Sequence, residues 1–136
     1  MSTKANINKL FKLQKRNIRY VVGAKYNSQT KAIFKDLNLL KLNDMIELEL
    51  AKFSFNFRLK KLPLSVMNLF KSNLEIHNYE TRQKRDLRTG KHKTQLYNKS
   101  FLCECSKVWS ALSMNIQTSE NINTFVSQFK ASLFQE

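Results

Sequence analysis

The sequence predicts a small, mainly α-helical domain of about five helices, with a basic insert near residues 77–100 that is irregular or a short β-hairpin. Apolar residues make up 42% of the 136 residues, which is enough to form a core. Only two glycines and one proline are present, which disfavours a turn-rich β architecture. Apolar residues recur at helical spacing on both sides of the insert.

The first predicted helix is amphipathic and ends near Gly23, a plausible left-handed terminator. Its apolar stripe follows the three-and-four spacing of a helix and consists of Ile7, Leu10, Phe11, Gln14, Ile18, Val21 and Val22. The opposite face holds five basic residues, namely Lys9, Lys12, Lys15, Arg16 and Arg19. Such a helix also fits a membrane surface or a calmodulin-type partner, but further helices are available to cover its apolar stripe.

Two further helices are predicted before residue 63. Thr30 is expected to cap a short helix that buries Ile33, Phe34 and Leu37 and ends at Asn38 in the left-handed conformation. Asp44 with Glu47 resembles a capping box that opens a third helix. The stripe of this third helix is Ile46, Leu50, Phe53 and Phe57, and Pro63 is expected to end it. Residues 64–70 could form one or two more turns.

Helical periodicity is absent from residues 73–100 and then returns. Alternating residues at 94–100 predict a strand or a small hairpin around Gly90. Val108, Trp109 and Leu112 restore the helical spacing, and Trp109 is interpreted as a core anchor rather than a platform for bases. Ser119 is expected to cap a last helix with the stripe Ile122, Phe125, Val126, Phe129 and Leu133. We find no internal repeat and no linker, so residues 1–136 are predicted to form a single domain.

The formal net charge of +14 is concentrated in two zones. Residues 1–41 carry ten basic residues against one acid, and residues 77–107 carry eight against three. Basic zones on a nearly neutral scaffold favour a polyanionic partner, with nucleic acid first and an anionic membrane surface second. A basic surface that serves only solubility is the alternative.

The second zone is densest at residues 77–93, which contain one aliphatic side chain, Leu87. The segment cannot bury itself, so its cations are predicted to contact phosphates: Arg82, Lys84, Arg85, Arg88, Lys91 and Lys93. The first helix would support them through Lys12, Lys15, Arg16 and Arg19. Tyr79 and Tyr97 flank the insert and either stack on unpaired bases or pin the loop to the body.

Catalytic and metal chemistry are not predicted. Asp36, Asp44 and Asp86 are isolated, so no carboxylate pair could clamp two metal ions. Cys103 and Cys105 are spaced too closely for a usual zinc site, and His77 and His92 lie too far apart. We therefore expect no catalytic residue, no metal and no cofactor, with the two cysteines as small apolar side chains.

The expected location is intracellular, in the nucleus or cytoplasm, and not secreted. No run approaches 18 apolar residues, so no transmembrane segment is predicted. The N-terminus lacks a secretory apolar core, and the two cysteines cannot form a disulfide framework.

Several segments, in order along the chain, carry a resemblance to one protein family. The first two are LQKRNIRY at 13–20 and TKAIFKDLNLLKL at 30–42, which resemble the region that follows the polymerase core in non-LTR retrotransposon reverse transcriptases of the jockey type. Leu62-Pro63 falls where the family has Leu-Pro. HNYETR at 77–82 is similar to the family's H-x-Y-x-T-R, the most specific string. SKVWSALS at 106–113 resembles P-K-x-W-N-x-L-P, and residues 122–130 resemble the closing L-x-x-F-K.

The sequence departs from the family pattern at Ala32, Ser110 and Ser113, where Pro, Asn and Pro are usual. The resemblance implies a C-terminal piece of an RNA-directed DNA polymerase from a mobile element, without the family's catalytic carboxylates or endonuclease. The predicted function is therefore a non-catalytic module that binds the backbone of RNA or DNA. The upstream polymerase domain is a further potential partner. The alternatives are an inert structural remnant and a basic helix that binds membranes or directs targeting.

Overall fold

The computed structural model describes residues 4–69 and 94–135. Within these two stretches the chain contains helices and no strand, so the mainly α-helical prediction is confirmed. Three of the helices are short, which is why the number exceeds the five predicted. The helices are α1 (Lys4–Val21), α2 (Thr30–Asp36), α3 (Leu42–Arg58), α4 (Leu64–Met67), α5 (Gln95–Asn98), α6 (Phe101–Ala111), α7 (Met114–Gln117) and α8 (Ile122–Gln135).

Helix α3 is the centre of the domain, since it packs against α1, α6 and α8. One of its faces buries Leu48, Ala51 and Phe55 in the main core. A second face, which contains Leu50, packs with Cys105 of α6. The predicted stripe of α3 is this second face, and the sequence reasoning missed the first. Because α3 has neighbours on several sides, its apolar residues do not form one stripe.

Aromatic rings from three helices fill the main core. The Phe55 ring of α3 stacks on the Phe125 ring of α8, with 4.5 Å between centroids. The Trp109 ring of α6 also stacks with the Phe125 ring, with 6.3 Å between centroids. Trp109 is 3% exposed, which confirms that it is a core anchor. Burial of one such ring contributes roughly 1.5–3 kcal/mol.

Three helices end in the same backbone arrangement. Gly23, Asn38 and Lys60 have φ values of 66°, 52° and 54° and follow α1, α2 and α3 respectively. At each site the left-handed residue and the next one donate backbone hydrogen bonds into the last turn of the helix, which is a Schellman motif. The exits at Gly23 and Asn38 confirm the predictions. The prediction that Pro63 ends α3 is wrong, because the helix already ends at Arg58 and Pro63 precedes α4.

Three predicted N-caps are wrong. Thr30 is buried as the first residue of α2, and Gln29 occupies the cap position. α3 begins at Leu42, two residues before Asp44, and no side chain of its own cap accepts a hydrogen bond. Instead, Oε1 of Gln14 in α1 accepts the Leu42 N–H at 2.9 Å.

The last helix is capped by Asn121 rather than Ser119. Oδ1 of Asn121 accepts the N–H of Thr124 at 2.9 Å. The buried Ser119 hydroxyl instead lies 2.8 Å from the Ile116 carbonyl and 2.8 Å from Oε1 of Gln128. The apolar stripe of α8 is as predicted, with Phe125 and Phe129 buried and Ile122, Val126 and Leu133 packed around them.

The strand predicted from the alternation at residues 94–100 is not formed, because residues 95–98 form the short helix α5. Ser100 then caps α6 by accepting the Cys103 N–H at 3.5 Å. Nζ of Lys107 donates to the Asn98 carbonyl at 2.9 Å, which holds the end of α5 against α6. The remainder of the predicted insert, residues 77–93, lies outside the described residues.

Candidate nucleic-acid interface

The strongest candidate surface is the side of α1 that faces away from the core. Ile18 is buried and the Phe11 ring lies 6.5 Å from the Phe34 ring of α2, which fixes the inward side. At 100° per residue, Lys9, Lys12 and Arg16 fall on the opposite side, and Lys15 and Arg19 lie along its flank. We call these residues the α1 basic face: Lys9, Lys12, Lys15, Arg16 and Arg19. Together with Leu13 and Tyr26 they line a surface pocket of about 670 Å³.

The charged side chains of the α1 basic face are all positive. α1 contains no aspartate or glutamate, so no residue of the helix neutralises these cations. Four of the ten predicted phosphate-binding residues, Lys12, Lys15, Arg16 and Arg19, meet at this one pocket. The other six lie outside the described residues, namely Arg82, Lys84, Arg85, Arg88, Lys91 and Lys93.

Arg19 is held by the loop that follows α1. Its Nε donates to the Ser28 carbonyl at 3.0 Å. This bond uses one of the five N–H donors of the guanidinium group. The guanidinium carbon lies 5.9 Å from the centroid of the Tyr26 ring, within the range of a cation–π contact. The Schellman turn at Gly23 folds the loop back so that Tyr26 reaches the helix.

A second arginine–tyrosine pair lies one turn away. The Arg16 guanidinium carbon is 5.8 Å from the Tyr20 ring centroid, and the two residues are four apart on α1. A side-chain hydrogen bond with Tyr20 raises the pKa of Arg16 above its ordinary value.

Lys15 contributes to packing as well as to charge. Its Nζ lies 4.2 Å from the centroid of the Phe11 ring. Lys15 is half-buried, and its ammonium group lies over the Phe11 ring as a cation–π contact.

Sequence reasoning missed Tyr20 and Tyr26 as members of the candidate site. The four-residue spacing between Arg16 and Tyr20 was a signal for the first pair. The second pair depends on the turn at Gly23, which local spacing does not reveal. Of the two tyrosines that were predicted to flank the insert, Tyr97 is half-buried on α5, and Tyr79 lies outside the described residues.

A second pocket, of about 470 Å³, lies between α1, the α2–α3 connection and α3. Its lining is mainly apolar and includes Ile18, Phe34 and Leu48. Glu49 and Lys130 are its two charged members, and they have opposite signs. This pocket therefore lacks the one-signed charge of the α1 basic face.

The cysteines have a structural role. Cys103 and Cys105 of α6 are both buried, which confirms that they act as small core residues. Burial raises the pKa of the Cys105 thiol to about 11, opposed by a hydrogen bond with Ser54. Within residues 4–69 and 94–135, no cluster of three metal-ligating side chains is found. His77 and His92 lie outside those residues.

Among the described helices, none is both long enough and apolar enough to span a bilayer. No protein-family model, curated protein or solved structure matches this chain. The resemblance to non-LTR reverse transcriptases therefore stays a prediction from the sequence strings.

Proposed function

We propose that this chain is a nucleic-acid-binding module that contacts the phosphate backbone of RNA or DNA through the α1 basic face. The observation that carries the proposal is the convergence of five cations on one pocket of a helix that has no acidic residue. Phosphate contacts depend on such clustered positive charge and need no base-specific geometry.

The length of the α1 basic face suits a nucleic-acid strand. Lys9 and Arg19 are ten residues apart in the sequence, which corresponds to about 15 Å along a helix. A strand with a rise of about 3.4 Å per nucleotide would present roughly four phosphates over this distance. The two arginines can also form forked hydrogen bonds with phosphate oxygens, which lysines cannot.

We further propose that the chain derives from the C-terminal part of a non-LTR retrotransposon reverse transcriptase. The support is the order and spacing of the strings at 13–20, 30–42, 77–82 and 106–113. In such a protein the module would hold template or target nucleic acid near the upstream polymerase domain. The basic segment at residues 77–93 would add a second phosphate-binding surface, with Arg82, Lys84, Arg85, Arg88, Lys91 and Lys93 as its contacts. No catalytic role is assigned to the chain.

One observation favours a second candidate function, binding to an anionic membrane surface. Leu10 and Leu13 of α1 are each about half exposed, beside the lysines of the α1 basic face. Apolar side chains next to cations on one helix are typical of helices that lie in the lipid headgroup region. A structural remnant that once packed on a polymerase would also leave such residues uncovered.

The test is a salt titration of binding by the purified chain. Labelled single-stranded RNA, single-stranded DNA and duplex DNA of mixed sequence would be compared with anionic vesicles. We expect binding to all three nucleic acids, with the logarithm of affinity falling by about 0.7–0.9 per phosphate contact for each decade of salt. Affinity that is independent of salt, or binding to vesicles alone, would contradict the proposal.

A further inference from the structure

We infer that Tyr20 and Tyr26 make the α1 basic face a site for single-stranded nucleic acid, in which unpaired bases stack on the tyrosine rings while phosphates contact Arg16 and Arg19. This inference rests on the proposed function and adds the class of nucleic acid that the same surface prefers. It assigns a role to two residues that charge placement alone did not single out.

The first support is the exposure of both rings. Tyr26 is 84% exposed and Tyr20 is 72% exposed. The core of the domain, by contrast, buries Phe55 and Phe125 completely. An isolated exposed aromatic residue needs no explanation. Two exposed rings that each pair with an arginine of the same basic surface do need an explanation, and base stacking accounts for both.

The second support is the fixed geometry of the Tyr26 pair. The hydrogen bond from Arg19 to the Ser28 carbonyl joins the helix to the loop that carries Tyr26. Tyr26 itself lines the pocket together with the cations. A base that stacks on this ring would therefore place its own phosphate within reach of the cluster. Sites of this type combine a basic groove with aromatic platforms and tolerate many sequences.

The Tyr20 pair extends the same surface. Tyr20 follows Arg16 by one helical turn, and its ring centroid lies 5.8 Å from the Arg16 guanidinium carbon. The two pairs thus repeat one arrangement, a tyrosine ring beside a guanidinium group, at the C-terminal end of α1.

A preference for single strands follows from the accessibility of base faces. In a duplex the faces of the bases are stacked on one another, so the tyrosine rings gain no contact. The cations would still contact duplex phosphates. Loss of a tyrosine ring should therefore weaken binding of single strands selectively, whereas loss of a cation should weaken both.

The test compares Tyr26→Ala, Tyr20→Ala and Tyr26→Phe with the parent chain, on a mixed-sequence single strand and on the matching duplex. Met114→Ala serves as the control, since Met114 is also well exposed but lies on α7. We expect each tyrosine-to-alanine change to weaken single-strand binding by about fivefold or more, the lower end of what base–aromatic stacking contributes. Duplex binding and the salt slope should change little, and Tyr26→Phe should retain single-strand binding.

Equal losses on single strand and duplex, or no loss on either, would overturn the inference while leaving the proposed function intact. Absence of salt-dependent binding by the parent chain would instead overturn the proposed function itself. A parallel titration with anionic vesicles completes the comparison. If the tyrosine variants lose vesicle binding and retain nucleic-acid binding, the rings are membrane anchors and the inference is wrong. The urea midpoints of the variants should match that of the parent chain, because these side chains are exposed.

Discussion

Gln14 and Leu42 are 28 residues apart in the sequence, yet the Gln14 side chain accepts the Leu42 N–H at 2.9 Å and so joins α1 to the first turn of α3. The amide group of Gln14 also donates to the Leu40 carbonyl at 3.0 Å. One side chain thus satisfies both a free N–H of a helix start and a loop carbonyl. The helix that carries the basic face is therefore attached to the central helix of the core.

We expect Gln14→Leu to lower the free energy of unfolding by about 1–3 kcal/mol, because two partly buried backbone groups lose their partner. Gln29→Leu is the matched control, since Gln29 is exposed and its side chain forms no capping bond. Urea denaturation measures both. Equal midpoints for the two variants would show that the Gln14 contacts contribute nothing to stability.

The left-handed exits give an opposed pair of predictions. Lys60→Gly should stabilise the domain by about 1 kcal/mol, because a non-glycine residue at a φ of 54° is strained. Gly23→Ala should destabilise the domain by about 1 kcal/mol, because alanine would be strained at a φ of 66°. No atom lies within 4 Å of the added Cβ, so this cost comes from the backbone conformation and not from a steric clash. Thermal melts would check both signs. Shifts in the same direction would contradict the assigned backbone conformations.

Trp109→Ala should destabilise the chain by roughly 3–5 kcal/mol, since it opens a cavity beside Phe125. Nucleic-acid binding should fall only as far as the folded fraction falls. Urea midpoints and binding would be measured on the same preparations. A stable variant that binds poorly would mean that Trp109 contacts bases and that its core role has been misjudged.

The Cys105 thiol should resist alkylation in the folded chain. Its raised pKa, about 11 against an ordinary 9.0, means that folding favours the protonated thiol. This contribution to stability is complete below pH 9 and is lost as the pH rises towards 11. Iodoacetamide labelling of a Cys103→Ala variant, in buffer and in urea, isolates this thiol. Equal rates in the two conditions would contradict its burial.

The long helices could be predicted because their apolar residues follow the helical period without interruption, as in α1 and α8. The caps of α3 and α8 could not, because the partner of Leu42 is distant in sequence and α8 uses Asn121, two residues after the expected cap. Leu42 is capped by Gln14, and the expected cap Ser119 instead meets Gln128. The exit at Lys60 carries no signal either, since lysine is not typical of a left-handed residue.

The candidate site shows the same division. Its cations could be predicted from charge and helical spacing, since Lys12 and Arg16 lie one turn apart. Tyr26 could not, because it reaches the helix only through the fold-back at Gly23.

The alternation at residues 94–100 led to a wrong prediction of a strand. Seven residues are too few to distinguish a strand from a helical turn, and the Ser100 cap and the Lys107 bond favour the helix here.

The most direct test of the central claim compares three fourfold Gln variants that remove the same charge. One changes Lys12, Lys15, Arg16 and Arg19; one changes Arg82, Lys84, Arg85 and Arg88; and the control changes the exposed residues Lys35, Lys61, Lys99 and Lys130. The measurement is the slope of log affinity against log salt for a single strand, with urea midpoints to confirm folding. We expect the slope to become shallower by about two or more in each of the first two variants, since every lost phosphate contact removes about 0.7–0.9. In the control we expect a change of less than about one. Equal slopes in all three variants would show that binding follows net charge alone, and that neither the α1 basic face nor the segment at residues 77–93 is a nucleic-acid interface.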